Sequence, residues 1–180
     1  MAEYYLDIET TGFDPNIEKI ISIQFQQINS KTGKTLGDLT ILKEWESTEK
    51  EILTKFIDKL NPKSNFSFIP IGFNLSFEFK FLKVKSQKLL KIDLENFLYH
   101  DMPKIDIKDT YIMMRENMFK GSSLDSFVGK KWSNSMVPKW YREENYKQIE
   151  MYIEDETNRF MDGYQFLRKH LPTLLTKYKE

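Results

Sequence analysis

The sequence predicts a single α/β domain in which helices cover both faces of a mixed β-sheet. Two observations lead to this prediction. The first segments alternate apolar and polar residues with the period of strands, and turn residues separate them. From residue 48 onward apolar residues recur at helical spacing instead, with one short apolar strand between helices. A chain of 180 residues can bury one good core and leaves little room for a second domain.

Three strands are expected to open the domain as an antiparallel meander. The first covers residues 3–8, and a turn at 12–16 ends it. β-branched and aromatic residues favour a second strand over 19–29. A turn at 31–34 then leads into a third strand over 35–42, antiparallel to the second.

Helical spacing dominates the remainder of the chain. A capping box from Thr48 to Glu51 starts the first helix, which ends at Asn61-Pro62. A short apolar strand over 65–72 has the composition of strands that are buried on both faces. Further helices are predicted over 74–90, 109–116, 123–130 and 143–170, with an aromatic loop over 132–142, a break at Pro172 and a C-terminal helical extension over 161–180.

The amino-acid composition limits the kinds of metal site and binding site that the chain can form. The chain has no cysteine and two histidines, which excludes thiolate sites and disfavours histidine-rich ones. A metal site would therefore use oxygen ligands, which suit magnesium, manganese or calcium. With 27 basic and 27 acidic residues, binding to a polyanion would be local or mediated by metal ions. The chain opens without a basic-then-apolar leader and has no apolar run of membrane length, so we expect a cytoplasmic protein.

Two carboxylates share one face of the first strand. Side chains alternate along a strand, so Asp7 and Glu9 point to one side while Leu6 and Ile8 point to the other. Crowding two negative charges is costly unless a cation compensates them, which makes a divalent metal one interpretation. An edge strand that displays two acids to water is the other interpretation.

A third acid falls on a helix face that is expected to pack. Glu78 lies four residues after Asn74, a natural N-cap, so the two side chains share a helical face. Its neighbours at the next turn are Phe81 and Leu82. Glu78 is therefore either a functional acid beside the core or one acid on a lysine-rich, solvated helix.

A fourth acid interrupts the apolar stripe of the long helix. Glu156 occupies the position that completes this stripe, and Tyr152 lies one turn before it. Asp155 points elsewhere on the helix and can pair with Arg159 at the surface. The stripe consists of Tyr146, Ile149, Ile153, Phe160, Tyr164 and Leu167.

These acids lie in motifs that resemble a known family. The order LDIETTG, GFN-x-x-x-E and Y-x-x-x-E, within residues 4–160, resembles the three motifs of the DEDD superfamily of 3′-5′ exonucleases, in its DnaQ-like, tyrosine-type (DEDDy) branch. The resemblance implies a ribonuclease-H-like fold, with a mixed five-stranded sheet in which an antiparallel meander precedes parallel strands. It implies metal-dependent hydrolysis of the terminal phosphodiester at single-stranded or frayed 3′ ends of DNA or RNA. A separate polymerase or repair partner would be compatible with this activity.

The resemblance also implies roles for individual residues. Asp7 would bridge two divalent cations, Mg²⁺ or Mn²⁺. Glu9 and Glu156 would complete the ligands of one cation, and Glu78 would hold the other through water. Tyr152 would orient the attacking water. These five side chains are the candidate catalytic residues, and the four acids are the candidate metal ligands.

The same comparison implies contacts with the substrate. Thr10 and Thr11 would help to bind the terminal nucleotide, and Asn74 would supply polar contacts. Phe13 stands where the family places an apolar wedge beside the last base, and its other interpretation is packing within the turn.

The sequence also departs from the family pattern. The pattern has aspartate where Glu78 and Glu156 stand, and commonly histidine where Phe73 stands. Glutamate reaches about 1.5 Å further than aspartate. An alternative is therefore a catalytically weakened or inactive nucleic-acid-binding protein with this fold. A ribonuclease-H-type endonuclease is a third hypothesis, against which Tyr152 argues.

Smaller signals have two interpretations each. Asp106 and Asp109 precede a helix, so capping is expected of them, with Asp109 as the N-cap. A set of lysines and aromatic residues between positions 80 and 141 could contact nucleic acid, or could form a solvated face and a packed loop. These residues are Lys80, Lys83, Lys85, Lys88, Lys91, Lys130, Lys131, Trp132, Trp140 and Tyr141.

Overall fold

A mixed sheet of five strands lies at the centre of the computed structural model, which describes residues 1–129 and 134–179. The strand order is β3-β2-β1-β4-β5. The first three strands pair antiparallel, whereas β4 pairs parallel with β1 and β5 pairs parallel with β4. This order confirms the predicted meander followed by parallel strands. The strands are β1 (Glu3–Thr10), β2 (Ile20–Ile28), β3 (Thr35–Lys43), β4 (Ile69–Gly72) and β5 (Ile105–Asp106).

Six α-helices of the described residues surround this sheet. The predicted cap Thr48 begins the first of them, since its hydroxyl accepts a hydrogen bond from the Glu51 amide at 3.2 Å. The Glu51 carboxylate accepts from this hydroxyl at 3.2 Å and not from the Thr48 amide, so only half of the predicted capping box is formed. Asn61 ends this helix in the left-handed conformation, with φ of 50°. The helices are α1 (Glu49–Leu60), α2 (Leu75–Lys85), α3 (Ile107–Met114), α4 (Leu124–Val128), α5 (Val137–Arg142) and α6 (Tyr146–Lys179).

The alternation of side chains along β1 separates two apolar cores. Leu6 and Ile8 pack on one face of the sheet, in the core that α1 and α2 complete. Tyr5 points to the other face, where its ring lies 4.9 Å from that of Phe160 on α6. Asp7 and Glu9 follow Tyr5 at two-residue intervals, so the sheet directs both acids to the α6 side.

Two predictions about the C-terminal third were wrong. Part of the expected aromatic loop is helical, because Pro138 stands in the first turn of α5, where proline is well tolerated, and Trp140 packs into the interior. The long helix begins at Tyr146 and continues through Pro172 without the expected break. Proline can kink a helix as well as end it, and the sequence pattern does not distinguish these outcomes. The expected helix end at Lys130, the pair Lys130-Lys131 and Trp132 lie outside the described residues.

The second predicted helix ends early. Regular α-helix stops at Lys85, and a π-helical turn covers Ser86–Leu90. Lys91 follows in the left-handed conformation, with φ of 61°. The predicted end at Leu90 is therefore the end of this turn and not of the α-helix.

The N-cap of α3 is Asp106, and the prediction of Asp109 was wrong. The Asp106 carboxylate accepts a hydrogen bond from the Lys108 amide at 3.0 Å. It also accepts from the amides of Asn74 and Leu75, both at 2.8 Å, and so caps α2 as well. The Asn74 side chain makes no capping bond of its own. One carboxylate at the end of β5 therefore joins the starts of two helices beside the site described below.

Across residues 1–129 and 134–179, no helix combines the length and apolar character that crossing a bilayer requires.

Candidate active site

Three carboxylates from β1 and α6 meet on the α6 side of the sheet. Asp7, Glu9 and Glu156 each place one carboxylate oxygen within 4.8 Å of the others. Glu9 is 7 % exposed and Glu156 is 5 % exposed, whereas Asp7 is half-buried. The contact between Phe160 and Tyr5 holds this part of α6 over β1. Glu156, which was predicted to interrupt the apolar stripe of this helix, thus lies where the helix faces Asp7 and Glu9 of the strand.

Glu78 adds a fourth carboxylate from α2. It is 4 % exposed, and burial followed by the charge of Asp7 raises its pKa well above the ordinary value. Its Oε2 atom has no hydrogen-bond partner among the described residues. A buried carboxylate oxygen in this situation is costly and would be satisfied by a cation. The set of donors, which consists of carboxylates alone, fits a hard divalent cation such as Mg²⁺ or Mn²⁺.

Tyr152 lies over the same acids. Burial raises its pKa far above the ordinary range, and the charges of Glu9 and Glu156 and a hydrogen bond to Glu156 add to this effect. The phenol therefore remains protonated. Its ring packs against Trp140 of α5, with ring centroids 6.1 Å apart. The short helix α5, which the sequence did not predict, thus supports the position of this tyrosine.

Two polar side chains of β2 also reach the site and were missed in the sequence. Gln24 donates a hydrogen bond to Asp7, and Ser22 donates one to Gln24. In the antiparallel ladder Asp7 is opposite Gln24, and Glu9 is opposite Ser22. A usable signal was present, because Ser22 and Gln24 alternate with isoleucines and so form a polar face on a buried strand.

All nine predicted site residues line one cleft of about 570 Å³. Its acidic floor continues into the turn after β1. There the Thr10 hydroxyl donates to the Gly12 carbonyl at 2.6 Å, and the Thr11 hydroxyl donates to Glu18 at 2.5 Å. The lining residues among the nine are Asp7, Glu9, Thr10, Thr11, Phe13, Asn74, Glu78, Tyr152 and Glu156.

Aromatic side chains line the cleft beside the acids. Phe13 is 80 % exposed, and its ring meets that of Phe77 edge to face at 6.4 Å. Phe73, where the family pattern commonly has histidine, instead stacks on Phe127 at 5.9 Å. This position therefore supplies an apolar wall to the cleft and no titratable group.

Lys108 also lines the cleft, where it contacts Asn74. The Nζ atom of Lys108 donates to the side-chain oxygen of Asn74 at 2.8 Å. This contact also orients Asn74, whose backbone has φ of 72°. No local pattern in the sequence identifies Lys108, because its approach to Asn74 depends on the parallel pairing of β4 with β5.

Two of the lysines and two of the aromatic residues that were possible contacts for nucleic acid are engaged elsewhere. Lys85 is buried and pairs with Glu49 at 3.4 Å, and Lys83 pairs with Glu95. Trp140 is buried against Tyr152, and the Tyr141 hydroxyl donates to Glu44. The packing interpretation is therefore correct for both aromatic residues. The expected pair of Arg159 and Asp155 is present at 2.8 Å, on a half-exposed part of α6.

Comparisons with known proteins agree with this architecture. The family model described as RNase H superfamily matches residues 4–166. The zinc-bound complex of E. coli exonuclease I with single-stranded DNA aligns with a TM-score of 0.62 and 12% identity, covering 98% of this chain and 42% of that chain. Its complex with a dT13 oligonucleotide gives a TM-score of 0.61 and 12% identity, with 98% and 43% covered. At these identities the similarity concerns the fold.

A similar sequence also occurs in an archaeon. An uncharacterized protein of Methanocaldococcus jannaschii is 38% identical over 86 residues, which are 48% of this chain and 42% of that protein. The chain thus spans less than half the length of this relative and of the two exonuclease I structures.

Proposed function

The chain belongs to the RNase H superfamily, as its motifs predicted, and from this premise we propose that it is a metal-dependent 3′-5′ exonuclease. It hydrolyses the last phosphodiester of a single-stranded or frayed 3′ end. Water adds to the terminal phosphorus, the bond to the 3′ oxygen of the preceding nucleotide breaks, and a nucleoside 5′-monophosphate leaves. The observation that carries the proposal is the convergence of four buried or half-buried carboxylates from three elements on one cleft.

The acidic cluster has the composition of a site for two divalent cations. Asp7, Glu9 and Glu156 would hold one cation, and Glu78 beside Asp7 would hold the other. When bound, such cations activate water and stabilise the charge on the leaving oxygen. The carboxylates need only present oxygens in fixed positions, and the burial of Glu9, Glu78 and Glu156 limits competition from water.

Tyr152 positions the nucleophile in this proposal. A phenol that stays protonated is a permanent hydrogen-bond donor, and its contact with Glu156 directs it into the acidic cluster. It orients the attacking water without removing a proton from it. Packing against Trp140 limits the movement of the ring.

The cleft mouth binds the end of the strand. Phe13 and Phe77 offer aromatic surface on which the last base can stack. Lys108 and Asn74 present a cation and an amide to the sugar-phosphate backbone. Single-stranded DNA is bound by E. coli exonuclease I, which shares this fold, and this supports the proposed class of substrate.

Strand shortening tests the proposal. Single-stranded DNA and RNA with a 5′ label would be incubated with the protein in Mg²⁺ or Mn²⁺. The expected product is a ladder that shortens from the 3′ end with wild type and is absent with Asp7→Asn. Asp38→Asn, an isosteric change on the exposed face of β3, is the matched control and should keep full activity. No shortening with either cation, or equal shortening by Asp7→Asn, would contradict the proposal, and internal cuts would indicate an endonuclease.

A further inference from the structure

A buried chain of hydrogen bonds runs from β2 to Asp7. The Nε2 atom of Gln24 donates to Oδ2 of Asp7 at 2.8 Å, and the Ser22 hydroxyl donates to Oε1 of Gln24 at 3.1 Å. Gln24 and Ser22 are both 0 % exposed. Water therefore does not compete for these bonds, although Asp7 itself lines the open cleft.

The chemistry of the groups determines the direction of this chain. An ionised carboxylate only accepts hydrogen bonds, so Gln24 must present its amide nitrogen to Asp7. The Ser22 hydroxyl then donates to the remaining amide oxygen, which stabilises the same orientation. A reversed amide would place two acceptors against each other at Asp7. Ser22 thus holds Gln24, and Gln24 holds Asp7.

We propose that Gln24 is a positioning residue, which fixes the orientation of the Asp7 carboxylate and thereby sets the affinity of the acidic cluster for a divalent cation. This inference rests on the proposed function, because it concerns the same cluster. A carboxylate that is already oriented loses less freedom when a cation binds. Partners that orient metal ligands in this way typically change metal affinity or activity by 10–100-fold.

The same strand offers a matched comparison. Gln26 lies two residues further along β2, and its Nε2 atom donates to the Gly37 carbonyl at 2.9 Å, outside the acidic cluster. Methionine approximates the length and volume of glutamine but has no amide donor. Gln24→Met and Gln26→Met therefore remove the same group from one strand, and only the first removes a bond to Asp7.

Calorimetric titration with Mn²⁺ tests the inference directly. Wild type, Gln24→Met, Gln26→Met and Ser22→Ala would be titrated well below their melting temperatures. We expect the dissociation constant of Gln24→Met to rise about 10-fold or more. The dissociation constant of Gln26→Met should match that of wild type. The constant of Ser22→Ala should be intermediate, because the side-chain amide of Gln24 can still donate to Asp7 in that variant. In the strand-shortening assay, high Mn²⁺ should restore much of the rate lost in Gln24→Met, which a general structural defect would not allow.

The outcomes separate this inference from the proposed function. Wild-type affinity in Gln24→Met would overturn the positioning role and leave the exonuclease proposal standing. Absence of Mn²⁺ binding by wild type would overturn both. If Gln24→Met does not fold, Ser22→Ala decides the question: weaker Mn²⁺ binding supports the positioning role, and unchanged binding overturns it.

Discussion

The phenol of Tyr152 donates a hydrogen bond to the carboxylate of Glu156, which lies one turn further along the same helix. Both side chains are buried, and burial together with the nearby acids holds the pKa of Tyr152 far above neutral pH. The tyrosine therefore cannot serve as a base in any ordinary assay. It can orient a water molecule and the carboxylate that faces it, and this distinction leads to the first prediction.

Tyr152→Phe should lower kcat by about 100-fold, the lower end of the range for removal of one preorganised hydrogen-bond donor from an active site. KM should change little, because the ring and its packing on Trp140 remain. Steady-state kinetics on a single-stranded oligonucleotide would measure both constants. Tyr146→Phe, on the same helix and stacked on Trp45 at 5.1 Å, is the control and should keep the wild-type rate. A wild-type rate in Tyr152→Phe would remove the tyrosine from the mechanism.

Glu78→Gln should stabilise the metal-free protein at neutral pH. The folded-state pKa of Glu78 is raised by burial and by Asp7. Stability from its protonated form is complete below the unfolded pKa of about 4.3 and is lost as the pH rises through the folded pKa. Glutamine does not titrate, so the advantage of the variant should grow with pH. Each kcal/mol regained should raise the melting temperature by about 2–4 °C.

Scanning calorimetry in EDTA between pH 5 and 8 would measure this effect. Glu154→Gln, at an exposed position of α6, should leave the pH profile unchanged. A Glu78→Gln protein that melts at or below the wild-type temperature at pH 8 would mean that burial does not raise the pKa of Glu78 in the folded protein. The same variant should lose Mn²⁺-dependent strand shortening.

Glu156→Asp should weaken the site, although aspartate is the residue of the family pattern. Glu156 meets Asp7 and Glu9 within 4.8 Å at the length of glutamate. Shortening it would withdraw the carboxylate by about 1.5 Å. We expect the Mn²⁺ dissociation constant to rise about 10-fold. Faster strand shortening by Glu156→Asp would instead mean that glutamate had reduced the activity of the site.

Phe13→Ala should weaken substrate binding without destabilising the fold. The ring is largely exposed, so the free energy of unfolding should change by less than about 0.5 kcal/mol. Loss of base stacking should weaken binding of a single-stranded oligonucleotide about 10-fold. Fluorescence anisotropy with the Asp7→Asn protein as background would measure this without cleavage. Ile17→Ala is the control, because Ile17 is similarly exposed and does not line the cleft.

The sequence alone predicted the position of a side chain correctly where the periodicity of a single strand or helix determines that position. Alternation along β1 correctly placed Asp7 and Glu9 on one face, and helical spacing correctly identified Glu156 as an acid on a buried face. Local patterns could not show that Asp106 caps a helix whose first residue, Leu75, lies 31 residues earlier in the chain. That contact depends on which strands become neighbours, and the sequence does not state this directly.

Strand register explains why the contact between Gln24 and Asp7 was not predicted from the sequence. Gln24 reaches Asp7 only because β1 and β2 pair with these two residues opposite each other. A shift of one residue would point Gln24 to the other face of the sheet. The sequence pattern predicts a loop around Pro138 and a helix end at Pro172, whereas both prolines lie within helices. Proline permits several backbone conformations, and packing decides among them.

The central claim is that acids from β1, α2 and α6 together form a single cluster that binds divalent cations. Anomalous X-ray scattering from crystals soaked in Mn²⁺ tests it most directly. We expect anomalous density for one Mn²⁺ among the carboxylates of Asp7, Glu9 and Glu156 and for a second between Asp7 and Glu78. Asp7→Asn crystals should show no anomalous density at this cluster. Saturating Mn²⁺ that leaves this cluster without anomalous density in the folded wild-type protein would contradict the claim.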